Sequence, residues 1–356
     1  MIESVKFFTT RIRGMIMIIK IDRLKKFINT LLNEMDVNEE HSEVISDIYT
    51  RATLRGVGHH DIYDLPGRLK RLDAGIINKN PNISLNKGFG SIENYDGDNG
   101  LGEVCTSFIM ERAQELADSN GISFCSIYNS NHFLSAAPYV EKASELGYFS
   151  IAWTSARTVM GWPGSGAKII GNNPMGYSTP TKETPICLDI SMAYDSVGRL
   201  KDKEKKGENL PPLTALDKDG NYTEDPAEAL KGSSLPIGGH KGFGLSMLGE
   251  LLTTVMGNGI MIDEKAKSDL STYGKNLFDQ MVIVIKPDVF MSMDEYKDRV
   301  EVLTDFVKSK NSNLRIPGER SYETRKKHEV EGIDLDKDLI NTLNEWADKY
   351  KLFYKL

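Results

Sequence analysis

The sequence predicts an α/β protein with a helical part contributed by both chain ends. Three observations carry this. Amphipathic helical periodicity marks each end, strand–helix–strand order marks the middle, and the 31 glycines gather in clusters between the predicted elements. In chain order, Asp22–Met35 places Leu24, Phe27, Ile28, Leu31, Leu32 and Met35 at 3–4 spacing, one apolar stripe of a helix. Asn38 then caps a second helix, with Glu39 and Glu40 in its positive first turn and Val44, Ile45, Ile48 and Ala52 on its apolar face; it ends near Gly56. Asn86–Gly102 reads as a Gly/Asn-rich loop and Leu101–Ser119 as a strong helix. Ile122–Tyr128 and Phe149–Thr154 read as strands around a helix at Ala136–Leu146, with further strands at Ile186–Ile190 and Met281–Ile285. Lys201–Pro212 reads as a surface loop and Gly239–Met256 as a helix entered through glycines. Asp294 caps a helix whose inner side would hold Tyr296, Val300, Leu303, Phe306 and Val307. A last helix, about Leu335–Leu352, carries Leu339, Ile340, Leu343, Trp346 and Tyr350. This divides the chain into an N-terminal helical part (1–75), an α/β part (76–304) and a C-terminal segment (305–356) that packs back on the first.

Composition narrows the function. A chain of 356 residues with 40% hydrophobic residues buries a sizeable core and is not disordered. The net charge of −7 argues against a nucleic-acid binder, which needs a basic stripe. Cys105, Cys125 and Cys187 are far apart and form neither a disulfide framework nor a zinc knuckle, which suits a reducing, cytoplasmic setting. No apolar run reaches the ~20 residues of a membrane-spanning helix. The basic first twenty residues lack the apolar stretch of a signal peptide; a transit peptide, or an extension before a start at Met15 or Met17, is the remaining expectation.

Four places hold residues suited to chemistry. Arg55–Asp61 puts His59 and His60 beside Asp61 on a glycine-flanked loop, where imidazoles can exchange protons near neutral pH. Asn129–Phe133 follows a strand and contains His132, either a ligand-facing residue or a loop residue before a helix cap. Thr154–Arg157, Met160–Gly166 and Gly171–Pro174 form a long Gly/Pro-stiffened stretch whose backbone N–H groups could approach phosphates. Gly238–Gly244 enters a helix through bare glycines with Lys241, a natural anion site, although not a Walker A loop. No GxGxxG turn follows a first strand, so a dinucleotide would not bind through the usual Rossmann turn.

These places, in this order, resemble the malate/L-lactate dehydrogenase family of NAD(P)-dependent oxidoreductases, which includes sulfolactate and ureidoglycolate dehydrogenases, diketogulonate reductase and a cyclic imino acid reductase. The family pattern RGVxSHGxxRLP resembles Arg55–Pro66, SNHFGxAxxY resembles Ser130–Tyr139, and the glycine-rich pattern ending GTNP resembles Thr154–Pro174. LDMSxSxxxxG resembles Leu188–Gly198, GGHKGxGL matches Gly238–Leu245, and PGER matches Pro317–Arg320. The similarity runs from about Ile19 to Tyr354. It implies a non-Rossmann fold with a largely antiparallel central sheet and a helical domain made from both termini, in a homodimer with the site near the subunit interface.

The resemblance also assigns roles. His60 would be the catalytic histidine that gives a proton to the substrate carbonyl, with His132 a second acid/base candidate. Arg55 would hold the substrate carboxylate. Ser130, His132, Thr154, Ser155, Met160, Gly161, Trp162, Pro163, Gly164, Ser165, Gly166, Asp189, His240, Lys241, Pro317, Gly318, Glu319 and Arg320 would line NAD or NADP, Lys241 also reaching the substrate. The chain departs from the pattern at the active-site loop. His59 and Asp61 flank His60 where the pattern has Ser and Gly, and Asp64 stands where it has Arg, a role that Arg68, one turn on, would take over. The expected activity is hydride transfer between nicotinamide and a small 2-hydroxy/2-oxo acid, malate or lactate first, with ureidoglycolate or a cyclic imino acid as the alternative within the family. No metal is expected; a metal-dependent hydrolase using His59, His60 and Asp61 is the competing class.

Overall fold

The computed structural model describes residues 16–267 and 278–356; the reading of the first fifteen residues as a leader or extension falls outside them. The chain opens with β1 (Ile16–Ile19) and the helices α1 (Ile21–Glu34) and α2 (Glu39–Leu54). Both helices lie where their stripes predict, and Asn38 accepts from the His41 N–H as α2's cap. A short 3₁₀ turn, Ile62–Asp64, leads into α3 (Leu65–Asp73), whose first turn accommodates Pro66 because an N–H is not needed there. Strands β2 (Ser84–Phe89) and β3 (Ile92–Gly100) follow, then α4 (Gly102–Asn120), β4 (Ile122–Ser130), α5 (Ala137–Glu145) and β5 (Phe149–Thr154). Next come β6 (Thr158–Trp162), β7 (Ser165–Gly171), β8 (Met175–Thr179), β9 (Ile186–Ile190), α6 (Val197–Lys206), β10 (Ala215–Leu216), α7 (Pro226–Lys231) and β11 (Ser233–Ser234). The chain ends with α8 (His240–Glu250), α9 (Ile262–Lys267), β12 (Phe278–Ile285), α10 (Met293–Lys310), α11 (Glu319–Glu331), β13 (Ile333–Asp336) and α12 (Lys337–Lys349).

The main sheet has seven strands in the order β2-β3-β4-β12-β5-β8-β9. Only the β3–β4 pair is parallel, so the sheet is antiparallel-dominant. The two chain ends meet: β1 pairs antiparallel with β13, and Phe27 packs edge-on against Tyr354. One apolar core runs from the terminal helices under the sheet, with Phe27, Tyr49, Ile109, Ile127, Tyr139 and Leu343 all buried.

Four sequence expectations change. The supposed loop over Asn86–Gly102 is mostly strand, because pairing with β4 outweighs the poor strand propensity of Asn, Asp and Gly. The Gly/Pro-rich stretch after Arg157 is a hairpin, β6 turning at Pro163-Gly164 into β7. The Lys-rich segment expected to be a loop begins as α6, capped by Ser196 and closed by Gly207 in a left-handed conformation; Lys and Glu are good helix formers on an exposed face. Helix α10 is capped by Ser292 and fully buries no residue; of its expected inner side Tyr296, Val300 and Val307 are half-buried, while Leu303 and Phe306 are each 60% exposed.

Candidate active site

Helix α3, with Asp64 directly before it, builds one wall of a cleft of about 1040 Å³, and the loop leading into α3 positions the residues beside it. The loop is held open by left-handed residues: Gly56, Gly58 and, unusually for a residue with a side chain, His60 at φ 54. Asp61 closes it, accepting from the Gly58 and Tyr63 N–H groups. Burial pushes the Asp61 carboxyl up to about 6 against the opposing pull of those N–H donors. Tyr63 ties the loop to the C-terminal strand by donating to Asp336.

This arrangement throws His60 outward, 39% exposed, with its Nδ1 3.0 Å from Asp64 Oδ2. Burial raises the Asp64 carboxyl, but the hydrogen bond and charge of His60, with the Arg68 cation nearby, outweigh it and hold it at about 2. Asp64 is therefore an anion throughout the working range.

His132 comes from the other side, just past the end of β4. Its ring centroid is 4.9 Å from that of His60, and Phe278 packs edge-on against it at 5.2 Å. Its Nδ1 receives two donors, Arg68 Nη2 at 2.9 Å and the Leu134 N–H at 3.1 Å. An imidazole nitrogen that accepts carries no hydrogen, so the proton of His132 sits on Nε2. Burial, then the charges of Arg68 and His60, push the His132 pKa well below its ordinary value. His132 is thus a neutral imidazole with a fixed tautomer.

Arg68 does the fixing. It reaches Glu103 at 3.2 Å and the His132 carbonyl at 2.9 Å, and Glu103 is fully buried. Arg71, three residues on, donates to Asn131, and it lines the cleft with Arg157, Lys168 and Lys201. Arg157 closes a stretch the sequence had marked, whereas Arg71, Lys168 and Lys201 escaped it, although the helical spacing of Asp64, Arg68 and Arg71 on one face was available.

The other nominated residues fall elsewhere. Arg55 is buried in an ion pair with Glu141 and lies 3.8 Å from Cys187, so its guanidinium already has a structural carboxylate. Asp189 accepts from the Ala137 N–H at the start of α5, and burial raises its carboxyl. Met160 is in the core, and Gly161 and Gly166 are glycines because a Cβ would strike Ser233 Oγ and the Lys218 carbonyl. Trp162 packs edge-on against Phe243 beside the Pro163-Gly164-Ser165 turn. His240 and Lys241 are exposed at the start of α8. Pro317 and Gly318 dock α11 on Cys187, Glu319 pairs with Lys308, and Arg320 is exposed. Ser130 is buried at the end of β4. Thr154 and Ser155 lie under the cleft, where Ser155 Oγ receives Lys265 at 2.8 Å.

A metal reading fits poorly. Asp61 spends its carboxylate on the backbone, so His59, His60 and Asp61 do not form a ligand set. Among the described residues His60, Asp64 and His132 do bring ligand atoms within 4.8 Å of one another. Yet His132 offers a lone pair only at Nδ1, which already faces the Arg68 cation, and a second cation there would be repelled.

The Asp64 carboxyl, held below its ordinary value, adds stability that is present above about pH 4 and lost as the pH falls through about 2. Asp64→Asn is expected to lower the urea midpoint at pH 6, with the gap to wild type closing as the pH is brought to 3. A gap independent of pH would contradict the ion pair.

A family model described as malate/L-lactate dehydrogenase matches residues 19–344. The chain is 32% identical over 336 residues to the malate/(S)-sulfolactate dehydrogenase of Methanothermus fervidus, covering 94% of this chain and 99% of that protein. Its structure resembles the sulfolactate dehydrogenase of Methanocaldococcus jannaschii, with a TM-score of 0.85 at 32% identity over 94% of this chain and 98% of that one. It also resembles the malate dehydrogenase of Entamoeba histolytica, with a TM-score of 0.88 at 26% identity over 96% and 100% of the two chains.

Proposed function

Because the chain belongs to the malate/L-lactate dehydrogenase family, we propose that it moves a hydride between a nicotinamide cofactor, NAD or NADP, and a small 2-hydroxy/2-oxo acid of the malate or lactate class. The observation that carries this reading is a pair of facing imidazoles, His132 lining a basic cleft and held neutral, His60 beside it and backed by the cleft-lining carboxylate of Asp64.

The cleft suits the cofactor. Its volume accommodates a dinucleotide, Val159, Val197 and Leu230 give it apolar wall, and Arg157, Lys168 and Lys201 suit phosphates. When bound, the cofactor supplies or takes the hydride at C2 of the acid. The chain's own residues do the rest. His132 points its Nε2–H at the carbonyl oxygen and polarises it; giving that proton up would leave an imidazolate, so it does not serve as the acid. His60 has Nδ1 committed to Asp64, which leaves Nε2 to hand a proton to the same oxygen, Asp64 being the counter-ion of the imidazolium. In the reverse direction His60 takes the proton from the hydroxyl. Arg71 is placed to hold the acid's carboxylate, and Arg68 acts through His132 as a positioning residue. We place the enzyme in the cytoplasm as a homodimer.

The test is a spectrophotometric screen at the nicotinamide absorbance, with both reduced cofactors and a panel of 2-oxo acids, with and without a strong chelator. At least one 2-oxo acid should be reduced, and the chelator should not matter. Activity lost to chelator and restored by zinc would refute the reading.

A further inference from the structure

We propose that Asp64 makes this a site for monocarboxylic 2-oxo acids whose tail is uncharged or donates hydrogen bonds, and that it turns away substrates carrying a second acid group. The inference rests on reading the cleft as a 2-oxo acid reductase site and goes on to name its substrate class.

The argument begins with placement. Asp64, Arg68 and Arg71 share one face of α3 and its entry turn, and all three line the cleft. Asp64 lies 3.0 Å from His60, and the His60 and His132 rings are 4.9 Å apart. A carbonyl held by both imidazoles therefore places its two substituents within a side chain's reach of this wall. One substituent is the carboxylate, for which Arg71 is the cation. The other faces Asp64.

Charge decides what that second substituent is. The Asp64 carboxylate stays ionised, and its hydrogen-bonding partner is His60, which must keep that contact to act as the acid. Arg68, the neighbouring cation, is spent on Glu103 and on His132. An acid group at this end of the substrate would meet the Asp64 carboxylate first, and the cation next to it on α3 is already engaged by Glu103 and His132. A methyl or ethyl group loses nothing there, and a hydroxyl or amine gains an acceptor. The departure is one of sign: the family pattern has Arg at this place, and the relatives named for malate and sulfolactate act on dianions. Like charges brought together at a binding site cost several times RT, so the discrimination against a dianion should be roughly a hundredfold or more.

The experiment compares kcat/KM for pyruvate, hydroxypyruvate, oxaloacetate and sulfopyruvate, using the full chain with NADH and with NADPH. Wild type should prefer pyruvate or hydroxypyruvate to both dianions by roughly a hundredfold. Asp64→Asn and Asp64→Arg both weaken His60, but that loss is common to all four substrates and cancels in the ratio between them. The ratio should fall toward unity in Asp64→Asn and invert in Asp64→Arg. A wild-type enzyme that uses oxaloacetate or sulfopyruvate as well as pyruvate overturns the proposal while leaving the dehydrogenase reading intact. So does a ratio unmoved in Asp64→Asn while kcat falls, which would reduce Asp64 to a support for His60. Reduction of none of the four with either cofactor would overturn the proposal, and reduction of no acid on the wider panel would overturn the dehydrogenase reading itself.

Discussion

His60→Ala should lose turnover by about 10²–10⁴-fold in kcat, the usual contribution of general acid–base catalysis, while binding of the nicotinamide cofactor survives. The size follows from the division of labour between the two imidazoles. His132 is locked as a neutral donor by Arg68 and the Leu134 N–H, so no second acid stands ready when His60 is removed. The loss should fall on kcat and kcat/KM alike, because a proton delivered as the hydride arrives is an interaction of the transition state. Removing His132 should differ in kind. It lies against Phe278 and lines the cleft, so His132→Ala should disturb cofactor affinity as well as rate. Steady-state kinetics and cofactor titration of both variants, after circular dichroism has shown them folded, separate the cases. A His60→Ala enzyme with near-normal kcat and only a raised KM would assign the acid elsewhere.

Arg68→Leu should lose stability and activity together. Glu103 has no exposure at all, and Arg68 is its ion-pair partner. Deleting one member of a buried pair leaves an uncompensated charge and costs about 3–5 kcal/mol, which urea denaturation would read as a large drop in midpoint. The same change removes one of the two donors on His132 Nδ1 and lets that ring re-orient. Arg68→Lys restores a charge near Glu103 but cannot reach Glu103, the His132 ring and the His132 carbonyl together, because a single ammonium lacks the planar fork. It should therefore recover much of the stability and little of the kcat. Equal recovery of both would make Arg68 a purely structural residue.

Much of the fold was legible where periodicity is strong. The stripes of α1 and α2 and the strands at Phe149–Thr154 and Ile186–Ile190 stand at the expected positions. What was hidden depends on partners distant in sequence. Strand β3 is polar and glycine-rich, and pairing with its neighbours β2 and β4 makes it a strand. The apolar side of α10 suggested burial, yet among the described residues it is only half covered, with Tyr296 bonded to Thr179 and Leu303 and Phe306 left exposed. At the site, the adjacent histidines drew attention to this loop, but the residues alone did not say which of them the backbone turns toward His132. That depends on the left-handed conformation of His60 and on both carboxylate oxygens of Asp61. At positions 161 and 166 close strand packing and phosphate binding ask for the same residue, and the packing against Ser233 and Lys218 requires glycine by itself. Asp64 was visible as an odd residue in a familiar pattern; its meaning needed the 3.0 Å contact with His60.

The account turns on the protonation of His132, and nitrogen-15 NMR of the histidine side chains in the full-length protein reads it directly. His132, assigned by comparison with His132→Gln, should be a neutral ring with its hydrogen on Nε2 at pH 7 and should stay neutral as the pH is lowered to 5. An imidazolium at pH 7, or a neutral ring with its hydrogen on Nδ1, would break the Arg68 contact as described and with it the assignment of His60 as the proton donor.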